Sequence, residues 1–368
     1  MLTEEKILEA LRGVKDPELN MSLVELNMIR NIRIDGSRVS LDVILTIQGC
    51  PLKVKIQEDV EKAIRDLGAE EVNIRFGSMT DEERAALSAK LRQQRAGAGP
   101  APQPGAPLSP LLAKDSKTQF IAVASGKGGV GKSTVTVNLA VALAREGKKV
   151  GIIDADIYGF SVPDMMGIEQ APVVIDKTIL PVERFGVKVI SMAFFVRDNS
   201  PVIWRGPMLG KMLRNFFTEV HWDELDYMLL DLPPGTGDVA LDVHQLIPQS
   251  KEIIVTTPHA TAAFVAARAG NMALHTKHEI LGVVENMSWY ACSACGNRDY
   301  VFGRGGGEKL AKELGTELLV QIPLGAPDND INDPDFSPSV YAADTETGRL
   351  YADLARKVIQ KTAAEVKN

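Results

Sequence analysis

Cysteine is scarce in this 368-residue chain, with Cys50, Cys292 and Cys295 the only three. Three thiols, two close together and one far off, cannot build a disulfide framework, which turns attention to metal or redox chemistry in a reducing compartment. Basic charge is also short: 41 Lys and Arg stand against 48 Asp and Glu, a net charge of −7. That balance gives no electrostatic footprint for nucleic acid. No apolar run approaches the roughly 18 residues of a membrane helix. Met1-Leu2-Thr3-Glu4-Glu5-Lys6 has neither the basic nor the apolar region of a secretory leader. The expectation is a cytoplasmic protein of about two domains, with no membrane and no nucleic acid among its partners.

What the chain does have is Gly126-Lys127-Gly128-Gly129-Val130-Gly131-Lys132-Ser133-Thr134. It follows the apolar run Phe120 to Ala124, fit for a buried strand, and precedes Val135 to Arg145, which reads as a helix. Strand, Gly-rich turn and helix in that order make a phosphate cradle. Glycines let backbone N–H groups close around phosphates, and the helix N-terminus adds its partial positive charge. Lys132 then reaches the β and γ oxygens, and Ser133 offers its hydroxyl to Mg²⁺. An ordinary loop of this kind has no need of Lys127, which sits on the outer lip, where it could reach a nucleotide on a facing subunit.

Residues 1–79 read as a small α+β domain. Thr3 caps a helix to about Leu11, and Asp16-Pro17-Glu18 breaks it. Ile29 to Ile34 and Val39 to Leu45 form a hairpin across Asp35-Gly36-Ser37-Arg38. After Gly49-Cys50-Pro51 comes a helix with Val54, Ile56, Val60, Ala63, Ile64 and Leu67 on its apolar side, then a strand, Glu71 to Phe76. Residues 80–117 are a connector. Thr80-Asp81-Glu82-Glu83 opens a polar helix to about Arg95, and a Pro/Ala/Gly tract from Ala96 to Pro107 follows, with nothing to bury and an extended, mobile character.

From residue 118 to 368, strands and helices alternate as in a P-loop NTPase with a doubly wound, mostly parallel sheet. The strands are expected at Phe120 to Ala124, Val150 to Asp154, Val187 to Met192, Tyr227 to Asp231, Glu252 to Thr256, Ile280 to Glu285 and Leu318 to Ile322. Helices are expected at Pro207 to Val220, Ala260 to His275 and Gly348 to Val366. Ligands of such sheets collect beyond the carboxyl ends of the strands, where the chemically suggestive residues fall. Asp154 ends one strand near the phosphates, and Asp156 follows on a loop where it could orient an attacking water. Asp231 ends the apolar Tyr227-Met-Leu-Leu and precedes Leu-Pro-Pro-Gly-Thr-Gly-Asp238, a pattern suited to holding Mg²⁺ through its water shell. Asn286 follows the strand Ile280 to Glu285, where a side-chain amide can read the adenine edge or simply form a turn. Cys292-Ser-Ala-Cys295-Gly296 offers two thiolates to one metal, while zinc and [4Fe–4S] clusters take four ligands. A second subunit supplies the missing pair economically; a zinc knuckle and a redox dithiol are the competing readings.

These motifs resemble the Mrp/ApbC group of dimerising ATPases, related to MinD/ParA and the nitrogenase iron protein. The likeness rests on the doubly basic loop, Asp154 to Gly159, Asp231 to Asp238, Glu285-Asn286-Met-Ser and the Cys segment. The N-terminal segment is similar to the small domain of iron–sulfur assembly factors. The resemblance implies a homodimer in which Lys127 crosses to the partner's nucleotide, Asp154 supports the site, Asp156 acts on water and Asn286 binds adenine. It further implies ATP, Mg²⁺ and an iron–sulfur cluster, a [4Fe–4S] cluster bridging two subunits, and transfer between scaffold and acceptor apoproteins with slow hydrolysis. A MinD/ParA-like positioning ATPase is the alternative, and requires a membrane or DNA element. Nitrogenase-like electron transfer fits less well, since that family uses two separated cysteines per subunit. The chain departs from the group at Phe160, at Thr257-Pro258-His259-Ala260-Thr261 and at Gly325-Ala-Pro-Asp-Asn-Asp-Ile331.

Overall fold

Short runs rich in Val and Ile become strands in this chain, and the amphipathic stretches between them become the helices that cover those strands. The computed structural model describes residues 2–16, 19, 21–46, 53–80, 82–84, 86–87, 109–113, 116–156, 159–176, 178–196, 206–333 and 335–363. They divide into two compact units, Met1–Ala101 with Val173–Leu180, and Pro102–Pro172 with Pro181–Asn368.

In the first unit, α1 (Glu4–Leu11) starts at Thr3, whose hydroxyl accepts from the Lys6 amide at 3.3 Å. The strands β1 (Ile29–Asp35) and β2 (Arg38–Leu45) form the expected hairpin. The helix α2 (Lys53–Arg65) then leads to β3 (Glu71–Ser78), which lies parallel to β2. Ile56, Val60 and Ile64, four residues apart, bury one stripe of α2. Two residues assigned to that stripe do not join it. Val54 lies two positions from Ile56, across the helix, and Leu67 falls beyond its last turn; both are exposed. Asp42 on β2 is gripped by Arg75 at 2.8 and 2.7 Å and by Asn31 at 2.7 Å. The Arg75 bonds first, then the Asn31 bond, push its carboxyl down to about 2. Thr80 and Glu83 make the reciprocal bonds of a capping box, 2.9 and 3.2 Å. Cys50, the rest of the polar helix and the Pro/Ala/Gly tract lie outside the described residues.

The second unit opens with β4 (Gln119–Ser125), α3 (Lys132–Arg145), β5 (Val150–Asp154) and the short α4 (Val162–Met165). A hairpin of β6 (Val173–Ile175) and β7 (Thr178–Leu180), unforeseen in the sequence, belongs to the first unit, where Ile175 and Leu180 enter the core. The second unit resumes with β8 (Val182–Arg184), β9 (Val187–Ser191), α5 (Gly206–Thr218), β10 (Tyr227–Asp231) and α6 (Asp238–Leu246). Then come β11 (Lys251–Thr256), α7 (Ala260–His275) and β12 (Glu279–Glu285). The two-residue strands β13 (Tyr290–Ala291) and β14 (Arg298–Asp299), α8 (Gly306–Glu313), β15 (Leu318–Gln321) and α9 (Glu346–Ala363) complete it.

Eight strands form one sheet in the order β15-β12-β11-β4-β10-β5-β9-β8. All pairs are parallel except the edge strand β8, which was not anticipated and turns back antiparallel on β9. Sheet-facing residues such as Val123, Ile152, Leu229 and Val255 pack under α3 and α9, which contribute Val135, Leu139, Leu354 and Val358. Each such side chain removed from water is worth about 1.5–3 kcal/mol. The apolar stripe of α9 is therefore spent on the core, as for an ordinary last helix. No helix among the described residues is long and apolar enough to cross a membrane.

Candidate functional site

Strand order brings the suggestive residues together. β4, β10 and β5 are neighbours, and Asp231 stands opposite Val123 on one side and Asp154 on the other. The turn after β4 therefore opens beside two strand-end carboxylates. Gly129 and Gly131 both take the left-handed conformation, at φ +80° and +81°. At Gly131 a Cβ would also lie 2.1 Å from the Asn286 Nδ2, so the backbone curls where only glycine fits. Among the described residues, no backbone N–H of residues 127–134 donates to a protein oxygen. A ring of free amides at a helix N-terminus is the donor set that phosphate oxygens require.

Lys132, though buried, places its Nζ 2.7 Å from Asp231 Oδ2 and 4.0 Å from Asp156 Oδ2. The Ser133 hydroxyl donates to the same Asp231 oxygen at 2.6 Å, and the Thr136 hydroxyl donates to Oδ1 at 2.7 Å. Thr136 is a residue that sequence reasoning missed. Its signal was the spacing of one helical turn from Ser133, which puts both hydroxyls on one face of α3. Lysine, serine and carboxylate thus converge where a nucleotide's terminal phosphates and a hard divalent cation would sit: the lysine suits the phosphates, and the serine hydroxyl and carboxylate are oxygen donors of the kind Mg²⁺ takes.

Asp154 sits deeper than its neighbours and is fully buried. Its Oδ2 accepts from the amides of Ser161 and Val162 at 3.1 and 3.3 Å and from the Ser191 hydroxyl at 3.0 Å. Its Oδ1 accepts from the Asp156 amide at 3.3 Å. Burial first, and the Asp231 charge second, push its carboxyl up to about 7. It therefore braces the loop after β5 from behind. Asp156 faces Lys132, and burial outweighs that charge to raise its carboxyl above the ordinary range. Asn286, at the end of β12, donates from Nδ2 to the Val130 carbonyl at 3.0 Å. Lys127 is the outlier of the set: exposed on the outer lip, with no ion pair among the described residues.

The two cysteines come after β12 in the chain. They lie in a hairpin that leaves β12, where β13 and β14 pair and the turn between them is closed by Cys292 N to Asn297 O at 2.9 Å and Gly296 N to Cys292 O at 2.8 Å. The neighbouring backbone amides of Ala294 and Cys295, followed by the Cys295 thiol, lower the Cys292 thiol from its usual range. A lowered thiol favours the thiolate, the form that ligates metal. Cys292 is half-buried and Cys295 exposed. Among the described residues no three Cys, His, Asp or Glu side chains gather as a metal site, so this pair has no further ligand there. The surroundings hold exposed Tyr290, Val301 and Phe302, with the Arg298 guanidinium 4.4 Å over the buried Trp289 ring.

Comparison with known proteins adds to this geometry. Residues 116–359 match the family described as NUBPL iron-transfer P-loop NTPase, and residues 4–76 match the one described as iron-sulfur cluster assembly protein. An iron-sulfur cluster carrier protein of Bacillus subtilis is 52% identical over 368 residues, covering 100% of both chains. Its counterpart in Mycobacterium leprae is 49% identical over 323 residues, 86% of this chain and 82% of that one. Among solved structures, a nucleotide-binding protein of Archaeoglobus fulgidus in complex with ADP is 41% identical, covers 65% of this chain and 87% of its own, and superposes with a TM-score of 0.49. The chain belongs to the NUBPL iron-transfer P-loop NTPase family, and carries at its N-terminal end a segment of the iron-sulfur cluster assembly protein family.

Proposed function

We propose that this protein carries iron–sulfur clusters to acceptor apoproteins, and that ATP binding and slow hydrolysis gate a homodimer in which Cys292 and Cys295 of each subunit hold one bridging [4Fe–4S] cluster. The observation that carries the reading is a pair of thiols, set for metal binding and lacking further ligands among the described residues, on a hairpin that springs from a nucleotide-site strand. The carrier relatives support the same assignment.

In this reading the amides of residues 127–134 take the phosphate oxygens, and Lys132 leaves Asp231 to meet the β and γ oxygens. Ser133 and Asp231 would hold Mg²⁺, which would offset charge on the phosphates. Asp156 orients and deprotonates the attacking water, a task suited to a carboxylate above its ordinary range. Asn286 meets the adenine edge, and Asp154 keeps the loop bearing Asp156 in place. Lys127 crosses to the partner's nucleotide. Residues 1–79 form the assembly-type domain, 80–117 the connector and 118–368 the ATPase. The connector keeps the two at high effective concentration.

The test is anaerobic reconstitution of wild type and of the Cys292→Ser, Cys295→Ser double variant, with iron and acid-labile sulfide measured after desalting. Wild type should retain both and the variant neither. Equal cluster content in the two proteins would end the carrier assignment.

A further inference from the structure

The cysteine hairpin and the phosphate loop are far apart in sequence, yet the two ends of the hairpin return to one side chain. Glu285, the last residue of β12, is fully enclosed. Its Oε1 accepts from the Gln321 amide at 2.7 Å and lies 2.9 Å from the Ser288 hydroxyl, which precedes the hairpin. Its Oε2 accepts from the Gly307 amide at 2.6 Å, where the chain coming off the hairpin enters α8. A Cβ on Gly307 would lie 2.8 Å from that carboxylate, so the close approach requires glycine. One buried carboxylate thus staples both stems of the segment that holds Cys292 and Cys295.

The next residue is Asn286, whose amide bonds the Val130 carbonyl inside the phosphate loop and packs against Gly131. From phosphate loop to hairpin the chain of contacts is Val130, Asn286, Glu285, then Ser288 and Gly307. A buried acceptor with fixed donors cannot shift without losing bonds, so the strand end moves as one piece with the hairpin stems. Resting on the carrier reading above, we propose that Glu285 is the positioning residue that couples nucleotide at residues 126–134 to the geometry of the cysteine pair. It touches neither nucleotide nor cluster.

Coupling between two sites is reciprocal, so cluster loading must change nucleotide affinity by the factor with which nucleotide changes cluster affinity. The experiment measures the Kd for Mg-ATP of the apo and the cluster-loaded full-length protein, for wild type, Glu285→Gln and Ser288→Ala. A glutamine amide turned toward Gly307 opposes donor to donor, while Oε1 can still accept. We expect the wild-type ratio of the two Kd values to be about fivefold or more, to fall close to one in Glu285→Gln, and to shrink in Ser288→Ala. The apo Kd should stay within about twofold throughout, which a merely structural defect would not respect. A parallel readout on the apo protein is alkylation of Cys292 and Cys295, followed by peptide mass spectrometry: its rate should respond to Mg-ATP in wild type and not in Glu285→Gln. A wild-type ratio of one would overturn the gating reading itself. A coupled wild type with an equally coupled Glu285→Gln would overturn the role of Glu285 alone. Should Glu285→Gln not fold, an unchanged ratio in Ser288→Ala overturns it equally.

Discussion

The phosphate loop and the cysteine hairpin are built on opposite plans. Around the loop, the side chains find partners within the chain: Lys132, Ser133 and Thr136 converge on Asp231, and four donors enclose Asp154. The hairpin is two residues of pairing on each side, with one thiol exposed and apolar side chains facing outward. The first is set into a sheet and, in the proposed dimer, wants only the partner's Lys127. The second is a pair of thiols on a short hairpin, with no third ligand among the described residues. A cluster takes four ligands, and in the proposed homodimer two such pairs supply them. In the reading proposed above, one chain carries the groups that bind nucleotide, whereas hydrolysis, through Lys127, and cargo binding both draw on a pair.

The comparison can be broken most strongly at Lys132. In Lys132→Ala, steady-state ATP hydrolysis should fall by about 10³-fold, since a preorganised charge on the phosphates is lost, while reconstituted iron stays at the wild-type level. A parallel loss of iron would make the two sites one. Next in size is Lys127→Ala. Hydrolysis should drop about 10²-fold, as when a residue supplied from across an interface is removed, yet ATP should bind a single chain as before. Weakened binding to the single chain would return Lys127 to its own loop. Thr136→Val deletes one bond to the Asp231 carboxylate, and the Mg²⁺ concentration for half-maximal hydrolysis should rise about tenfold. No change there would show that Asp231 keeps its orientation without the threonine.

The smallest effect lies at the other end of the sheet and should touch neither site. His278 and His244 stack 4.3 Å apart, with Thr276 between their Nδ1 atoms at 3.0 and 2.9 Å and Glu252 bonded to His244. Lys251 and Glu279, paired with each other, are the charged neighbours on β11 and β12. Burial first, then His244, lowers the His278 pKa from its ordinary 6.5. Because the unfolded chain binds this proton more readily, the associated stability is fully present above about 6.5 and is lost as pH falls through the folded value. Urea midpoints should therefore drop between about pH 7 and pH 5, less so in His278→Gln, with ATP affinity unchanged at about pH 7. An equal drop in both proteins would move the titration elsewhere.

The residues differ in how openly the sequence declares them. The seven strands expected for the sheet, the helices α3, α5, α7 and α9, Thr3 and the Thr80–Glu83 box were legible because each depends on local pattern: alternation, caps and turn formers. The same holds for Gly126 to Thr134 and Asp231, whose chemistry is set by spacing along one segment. Thr136, Ser191 and Glu285 were not legible, since their partners lie 95, 37 and 36 residues away, at Asp231, Asp154 and Gln321. Only strand order brings them together. The edge strand β8 and the β6–β7 hairpin escaped because three-residue strands carry too few alternations to register. Val54 and Leu67 misled for the reverse reason, being apolar but off the buried stripe of α2.

The central claim is that one chain offers half a cage. Native mass measurement of the anaerobically reconstituted protein, with iron and sulfide counted on the same sample, addresses it most directly. The account predicts a particle of two chains with about two iron and two sulfide per chain, reverting to single chains when the cluster is stripped. A single chain retaining a full cluster, or a dimer whose iron survives loss of Cys292 and Cys295, would contradict it.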